Sequence, residues 1–252
     1  NDMDYWNQID QFLPDQIPIA SLNAKNTFST HHNITISFDI RQTSFLNSGL
    51  NKNNKIDLES LLLLAFGKGL FKSFKVVQTK VNLEGHGRDE LIGDCNVSRT
   101  LGWFTSAYPV ILNVPDDYLS LFELIEYDQY LKTIPANGIS YGILTSARKI
   151  GVDDKKVLPN VDFNYLGEFY SSTSLSENSL FTISKKFHGD EDNSNLERKV
   201  DLIVNAQVLD NELKLNITFS KEWFDVKSII EFSDNYKDVL IDYSKLLSLS
   251  EY

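Results

Sequence analysis

The strongest constraint on this chain's fold is a helical segment that is apolar beyond one face. Over residues 57–74, Leu58, Leu61, Leu62, Ala65, Phe66 and Leu70 recur at i, i+3 and i+4 and form one stripe. Leu63 and Leu64 widen the stripe, so the spacing predicts a helix buried on more than one side. Gly67 and Gly69 each cost it ~1 kcal/mol relative to Ala and suit close packing against a sheet. The strands to pack it against are legible nearby. Residues 33–40 (NITISFDI) alternate, with Ile34, Ile36, Phe38 and Ile40 on one side, and residues 76–83 read as a second strand. A third covers 108–114 and is closed by Pro115. Asp116 or Asp117 is the expected cap of a helix to about residue 134, carrying Leu121, Leu124, Ile125 and Leu131. A loop around Gly138 leads to a short helix over 141–148. Further strands are expected at 161–166, 180–187, 200–209 and 213–219, and a closing helix at 225–247. Residues 47–55 read as a loop, as does the polar stretch 188–198, which is expected to be exposed. In the opening 1–26 segment, Tyr5, Trp6, Phe12 and Leu13 are apolar, but Pro14 and Pro18 interrupt any continuous helix. No internal repeat is present. The mixture predicts a layered α/β fold with a mixed sheet and packed helices.

Composition excludes several functions. With 35 acidic against 24 basic residues the net charge is -11, the opposite of a nucleic-acid footprint. One cysteine, Cys95, leaves no intrachain disulfide and fits a reducing compartment. The longest apolar run, residues 61–66, is far too short to span a bilayer, and no signal-peptide pattern opens the chain. The expectation is a soluble, cytoplasmic protein with no nucleic-acid or membrane partner.

The chemistry concentrates in three segments. Residues 84–112 (EGHGRDELIGDCNVSRTLGWFTSAYPVIL) pack Gly, Arg, His and aromatics between two apolar strands. Glu84 ends the first of these strands and is followed by Gly85, His86, Gly87 and Arg88. Glycines on both sides of a histidine let the backbone turn sharply. A carboxylate there can be desolvated toward a proton-transfer role; a structural Glu–Arg pair is the plain alternative. Arg99 could pair with Glu84, with Asp94, or with a ligand anion. Trp103 and Phe104 taken alone read as core. Residues 135–142 (PANGISYG) look like a loop opening a helix, with Gly138 and Gly142 on either side of Tyr141. Asn164 and Tyr165 interrupt an apolar strand before Gly167, where polar groups are either satisfied or functional. His31 and His32 are adjacent on a strand, point to opposite faces and cannot share a metal, so no metal site is expected there.

In this order, residues 84–88 (EGHGR), 99–109 (RTLGWFTSAYP), 135–142 and 163–167 (FNYLG) resemble the successive signature motifs of epimerization domains of nonribosomal peptide synthetases, in the condensation-domain superfamily. Tyr5, Trp6 and the prolines after them resemble the segment that links the two halves of such domains. The resemblance implies a chloramphenicol-acetyltransferase-like subdomain over 27–252, preceded by a linker over 1–26, as one half of a V-shaped domain. It implies that a peptidyl carrier protein delivers an aminoacyl or peptidyl thioester on 4'-phosphopantetheine, with no cofactor bound directly. It implies further that the α-proton is removed and returned, so that L and D forms would equilibrate. In the family's pattern Glu84 is the acid–base residue, and Asn164 and Tyr165 are the Asn-Tyr pair near the cleft. His86, Arg88, Arg99, Trp103 and Tyr141 would line the cleft for substrate and phosphopantetheine. The sequence departs from the family in two places. Asp89 stands where a second glutamate is usual, which keeps the charge and shortens the reach. The family's HHxxxDG element is absent, since His31-His32 is followed by neither Asp nor Gly and lies after the linker-like segment. The implied reading is the C-terminal half of an epimerization domain. Its partners would be an HHxxxDG subdomain, the carrier protein and neighbouring synthetase domains, and it is not expected to turn over alone. Two alternatives stand beside it: the corresponding half of a peptide-bond-forming condensation domain, and a non-catalytic carrier-binding module.

Overall fold

The computed structural model of the chain describes residues 2–21, 23–52, 56–88, 97, 99–148, 157–169 and 193–249. The expected strand over 180–187 lies outside the described residues, as do Asp89, Asp94 and Cys95. Six strands are described: β1 (His31–Ser37), β2 (Gln78–Gly85), β3 (Ser106–Asn113), β4 (Val161–Phe169), β5 (Leu202–Leu209) and β6 (Glu212–Ser220). They form one sheet in the order β1-β6-β5-β4-β2-β3. β4 runs parallel to both β2 and β5, while the β1/β6, β5/β6 and β2/β3 pairs are antiparallel. The sheet is therefore mixed, as the sequence predicts.

The helices are α1 (Asp2–Gln11), α2 (Ile40–Lys52), α3 (Leu58–Phe74), α4 (Leu121–Lys132), α5 (Ile139–Arg148) and α6 (Val226–Leu249). α3 is the buried helix read from the sequence, with Leu61, Leu62, Leu63 and Leu64 all at most 2% exposed. Its Phe66 ring meets Phe163 of β4 at 6.0 Å and Phe232 of α6 at 5.5 Å, so α3 sits between sheet and α6. The two glycines serve different neighbours. A Cβ on Gly67 would press on Val114 at the end of β3, and one on Gly69 on Phe232 and Tyr236 of α6. Among the described residues no helix is long and apolar enough to cross a membrane.

Strand alternation gives the sheet two unlike faces. Val81, Leu83, Val161, Phe163, Leu202, Val204, Ile217 and Leu215 are buried on the helix side. The other face carries Asn82, Glu84, Asp162, Asn164, Asn205 and Asn216, half-buried or exposed. One-sided packing with a polar second face is what this pattern supports.

Several local expectations are corrected. The strand expected over 33–40 ends at Ser37, and Ile40 instead opens α2, which extends to Lys52 through much of the expected loop. The spacing of Leu46 and Leu50, both buried, is the helical signal in that stretch. Ser120, not Asp116 or Asp117, caps α4, its hydroxyl accepting from the Phe122 and Glu123 N–H groups. Asp116 instead joins Glu123 around the fully buried Lys68 ammonium, at 3.3 and 2.8 Å. Pro14 does limit the first helix, but α1 fits ahead of it and buries Trp6 completely, with its indole N–H donating to Ser140. In the polar stretch expected to be exposed, Arg198 is buried and donates from Nη2 to the Thr218 carbonyl.

Candidate active site

On the open face of the sheet two of the sequence-predicted groups, Glu84 and Asn164, meet. Leu83 of β2 pairs with Phe163 of β4, so the next residues, Glu84 and Asn164, stand side by side on the polar face. Asn164 Nδ2 donates to Glu84 Oε2 at 3.0 Å. Glu84 is exposed rather than desolvated by this chain. Among the described residues its Oε1 has no hydrogen-bond partner and is left open to the face. One rung back, roughly 6.6 Å along the strands, the same pairing recurs in reverse: Asn82 Nδ2 donates to Asp162 Oδ1 at 3.0 Å. Burial there pushes the Asp162 carboxyl above its ordinary value. The sequence reading does not pick out Asn82 or Asp162. The available signal was position, since each lies two residues before a member of the Glu84–Asn164 pair and so shares its face.

The turn after β2 is built around Arg88. Gly87 has φ 62°, and a Cβ there would overlap the Phe104 carbonyl oxygen, so glycine alone fits. The Arg88 guanidinium donates from Nη1 to the Val97 and Thr100 carbonyls at 2.9 and 3.1 Å, and from Nη2 to Gly102 at 2.8 Å. It also lies over the Phe104 ring at 4.5 Å. Its backbone N–H donates to His86 Nδ1 at 3.0 Å. Arg88 thus directs three guanidinium hydrogen bonds at the carbonyls of the loop. The loop it shapes borders a cleft of about 650 Å³ lined by His86, Arg88, Leu101, Trp103, Phe104 and Thr105. Trp103, which alone reads as core, is 96% exposed. Arg99 is exposed and, among the described residues, makes no ion pair with Glu84.

Two expected site residues stand elsewhere. Tyr165 follows Asn164 and therefore points to the helix side of the sheet, away from Glu84. Burial, with Glu168 and Glu59 nearby, pushes its phenol up to about 12. Tyr141 is a core anchor instead of a cleft-lining side chain. It is buried, its hydroxyl donates to Asp10 Oδ1 at 2.9 Å, and its ring lies 5.0 Å from that of Trp6. The segment before it is a left-handed turn, with positive φ at Ala136, Asn137 and Gly138. A Cβ on Gly138 would run into the Tyr108 ring, so the turn can seat against β3 only with glycine there. The two adjacent histidines are engaged separately: His31 Nδ1 donates to the Phe28 carbonyl at 2.7 Å, and the His32 ring meets Phe219 at 5.5 Å.

The site geometry therefore joins Glu84 to Asn164 and places His86, Arg88 and Trp103 at the adjoining turn. Such an arrangement presents one oriented carboxylate oxygen to whatever occupies the open face.

Comparison with known proteins agrees with this architecture. The sequence matches the condensation-domain family over residues 1–250. It is 30% identical to tyrocidine synthase 1 of Brevibacillus parabrevis over 259 residues, 96% of this chain and 23% of that protein. It is 29% identical to gramicidin S synthase 1 of Brevibacillus brevis, over 94% of this chain and 22% of that one. The crystal structure of the epimerization domain from the third module of tyrocidine synthetase B superposes with a TM-score of 0.83 at 26% identity, over 98% of this chain and 55% of that one. The chain thus spans about half of that domain and less than a quarter of each synthetase. Family match, sheet topology and ordered motifs agree: this chain belongs to the condensation-domain superfamily of nonribosomal peptide synthetases.

Proposed function

We propose that this chain is the C-terminal part of an epimerization domain that interconverts the L and D forms of an aminoacyl or peptidyl thioester held on a carrier protein's 4'-phosphopantetheine. The observation that carries the reading is the exposed Glu84 carboxylate, fixed at Oε2 by Asn164 with Oε1 open. The thioester acidifies the substrate α-hydrogen. Glu84 takes that proton, becoming a carboxylic acid, and the electron pair moves to the thioester oxygen as an enolate. Reprotonation on the opposite face gives the epimer, and reprotonation on the same face restores the starting form. The second acid in this scheme is the HHxxxDG histidine of the other subdomain, facing Glu84 across the cleft. Asn164 orients the base without contributing charge, and Arg88 acts through the loop it holds.

The direct test uses the complete domain with a loaded carrier. Glu84→Gln keeps the shape and the hydrogen-bonding capacity, and is expected to slow exchange of the α-hydrogen with solvent by about 10²–10⁴-fold while leaving carrier binding intact. Near-normal exchange in that variant would remove Glu84 from the mechanism. A second reading, half of a peptide-bond-forming condensation domain, is favoured by the breadth of the matched family and by its peptide-synthase members. Chiral analysis of the carrier-bound product separates the two: a D-residue supports epimerization, and a dipeptide supports condensation.

A further inference from the structure

Glu84 is one member of a row that crosses the whole sheet. Strand register aligns Glu84, Asn164, Asn205, Asn216 and Thr35 on the open face, from β2 across β4, β5 and β6 to β1. Three asparagines in adjacent strand interiors are unusual, because asparagine is a poor strand former and a solvated face would take threonine or lysine at less cost. Internal bonding accounts only for the ends of the row. Its ends are paired, Asn164 to Glu84 at 3.0 Å and Thr35 Oγ1 to Asn216 Oδ1 at 2.7 Å. Between them, among the described residues, the half-buried Asn205 carboxamide bonds to nothing, and Asn164 Oδ1 and Asn216 Nδ2 are unused. A row of carboxamides carrying both spare donors and spare acceptors, with no charge, is complementary to secondary amides.

Spacing selects the occupant. Neighbouring strands repeat at roughly 4.8 Å, so successive carboxamides along the row do too. Successive amides of an extended peptide lie closer, at about 3.6 Å. The two amides of a pantetheine arm are separated by a two-carbon spacer and recur at roughly 5 Å by standard bond lengths. We infer that Asn205, with Asn216 behind it, binds the second amide of the pantetheine arm, counted from the sulfur. The arm then lies across β4, β5 and β6 with the thioester α-carbon at Glu84. This inference rests on the reading of Glu84 as the reacting carboxylate.

The test uses the complete full-length protein and two small aminoacyl thioesters. One is the pantetheine thioester, with both amides, and the other the N-acetylcysteamine thioester, which keeps only the first. Asn205→Ala is expected to raise KM for the pantetheine thioester about 10-fold, the effect of one lost hydrogen bond, with kcat unchanged and less than about 2-fold change on the shorter substrate. An equal loss on both thioesters, or no loss on either, would overturn the assignment. So would a loss that appears only when the acyl group is a peptide, which would assign the row to the peptide. Asn205→Thr, a better strand former without the carboxamide, repeats the measurement if the alanine variant folds poorly. A third probe is an aminoacyl-pantetheine analogue with NH in place of sulfur, whose Kd is read without turnover. About 10-fold weaker binding to the Asn205 variants upholds the inference even if the wild-type protein epimerizes nothing, and equal Kd values overturn it.

Discussion

Burial gives individual side chains of this protein a measurable dependence on pH. At the start of α3, burial and then the neighbouring Asp57 charge push the Glu59 carboxyl up to about 7. A raised carboxyl favours the folded state when protonated, so its contribution is full below the unfolded value and disappears as pH rises through about 7. Glu59→Gln should therefore match the wild type near pH 4 and exceed it near pH 8 by on the order of 2 kcal/mol, read from urea midpoints. A gap that does not grow with pH would show that Glu59 ionises normally. Tyr141 offers a second test. Tyr141→Phe removes the donor to buried Asp10 and should cost about 1–3 kcal/mol of stability while leaving kcat of the complete domain unchanged. A kcat loss without a stability loss would return Tyr141 to the cleft. At this scale the sequence shows that Glu84, Asn164, Tyr165 and Tyr141 are unusual, but not which of them meet. Asn164 and Tyr165 read as one polar pair, yet a period of two sends them to opposite faces. Glu84 and Asn164 are far apart in the chain, and only the β2/β4 register joins them.

Elements are held by side chains from other elements. The N-terminus of α3 is capped by Asp128 of α4, whose Oδ1 accepts from the Asp57 N–H at 3.0 Å and the Ser60 hydroxyl at 2.8 Å. Its Oδ2 meets Lys132 at 2.6 Å. Burial works to raise the Asp128 carboxyl, but Lys132, the Asp57 N–H and Ser60 together hold it below its ordinary value. A depressed carboxyl stabilises the fold above the unfolded value and loses that stabilisation as pH falls through its own lower value. Asp128→Asn should cost about 1–3 kcal/mol near neutral pH, with the difference closing in acid titrations of the two proteins as pH falls below the ordinary carboxylate range. A constant difference across that range would point to packing instead of charge. Arg88 plays the same part for the loop after β2, because three carbonyls and the Phe104 ring converge on it. Arg88→Lys offers no planar fork and should speed hydrogen exchange at Thr100, whose N–H donates to the Val97 carbonyl that Arg88 also holds, while β3 stays protected. The sequence announces α3 and β5 plainly, because their apolar periods are long and unbroken. α2 hides behind Asn, Gly and Lys, since tertiary packing of Leu46 and Leu50 outweighs weak local propensity. Caps supplied from a distance, such as Asp128, leave no local signal at all.

On the scale of the whole molecule, one face of the sheet is closed by helices and the other presents polar groups and a projecting apolar loop. Leu101 and Trp103 are 101% and 96% exposed at the rim of the cleft beside Glu84's strand. Large apolar side chains fully in water at the tip of a loop whose base is bonded to Arg88 are held there at a hydrophobic cost. Fully burying one such side chain is worth roughly 1.5–3 kcal/mol. The proposed second subdomain supplies the surface that would recover it, and the epimerization domain that superposes here is nearly twice as long as this chain. Replacing both side chains, Leu101→Ser with Trp103→Ser, should leave the thermal midpoint of this chain alone unchanged, because neither residue contributes to its core. In the complete domain the same pair should lower the unfolding midpoint and weaken α-hydrogen exchange, and the indole emission of Trp103 should be blue-shifted relative to this chain. Equal effects on the chain alone and on the complete domain would mean that the loop serves this half only. An unshifted Trp103 emission in the complete domain would mean that the loop projects into solvent there too, leaving the carrier as the surface to test against it.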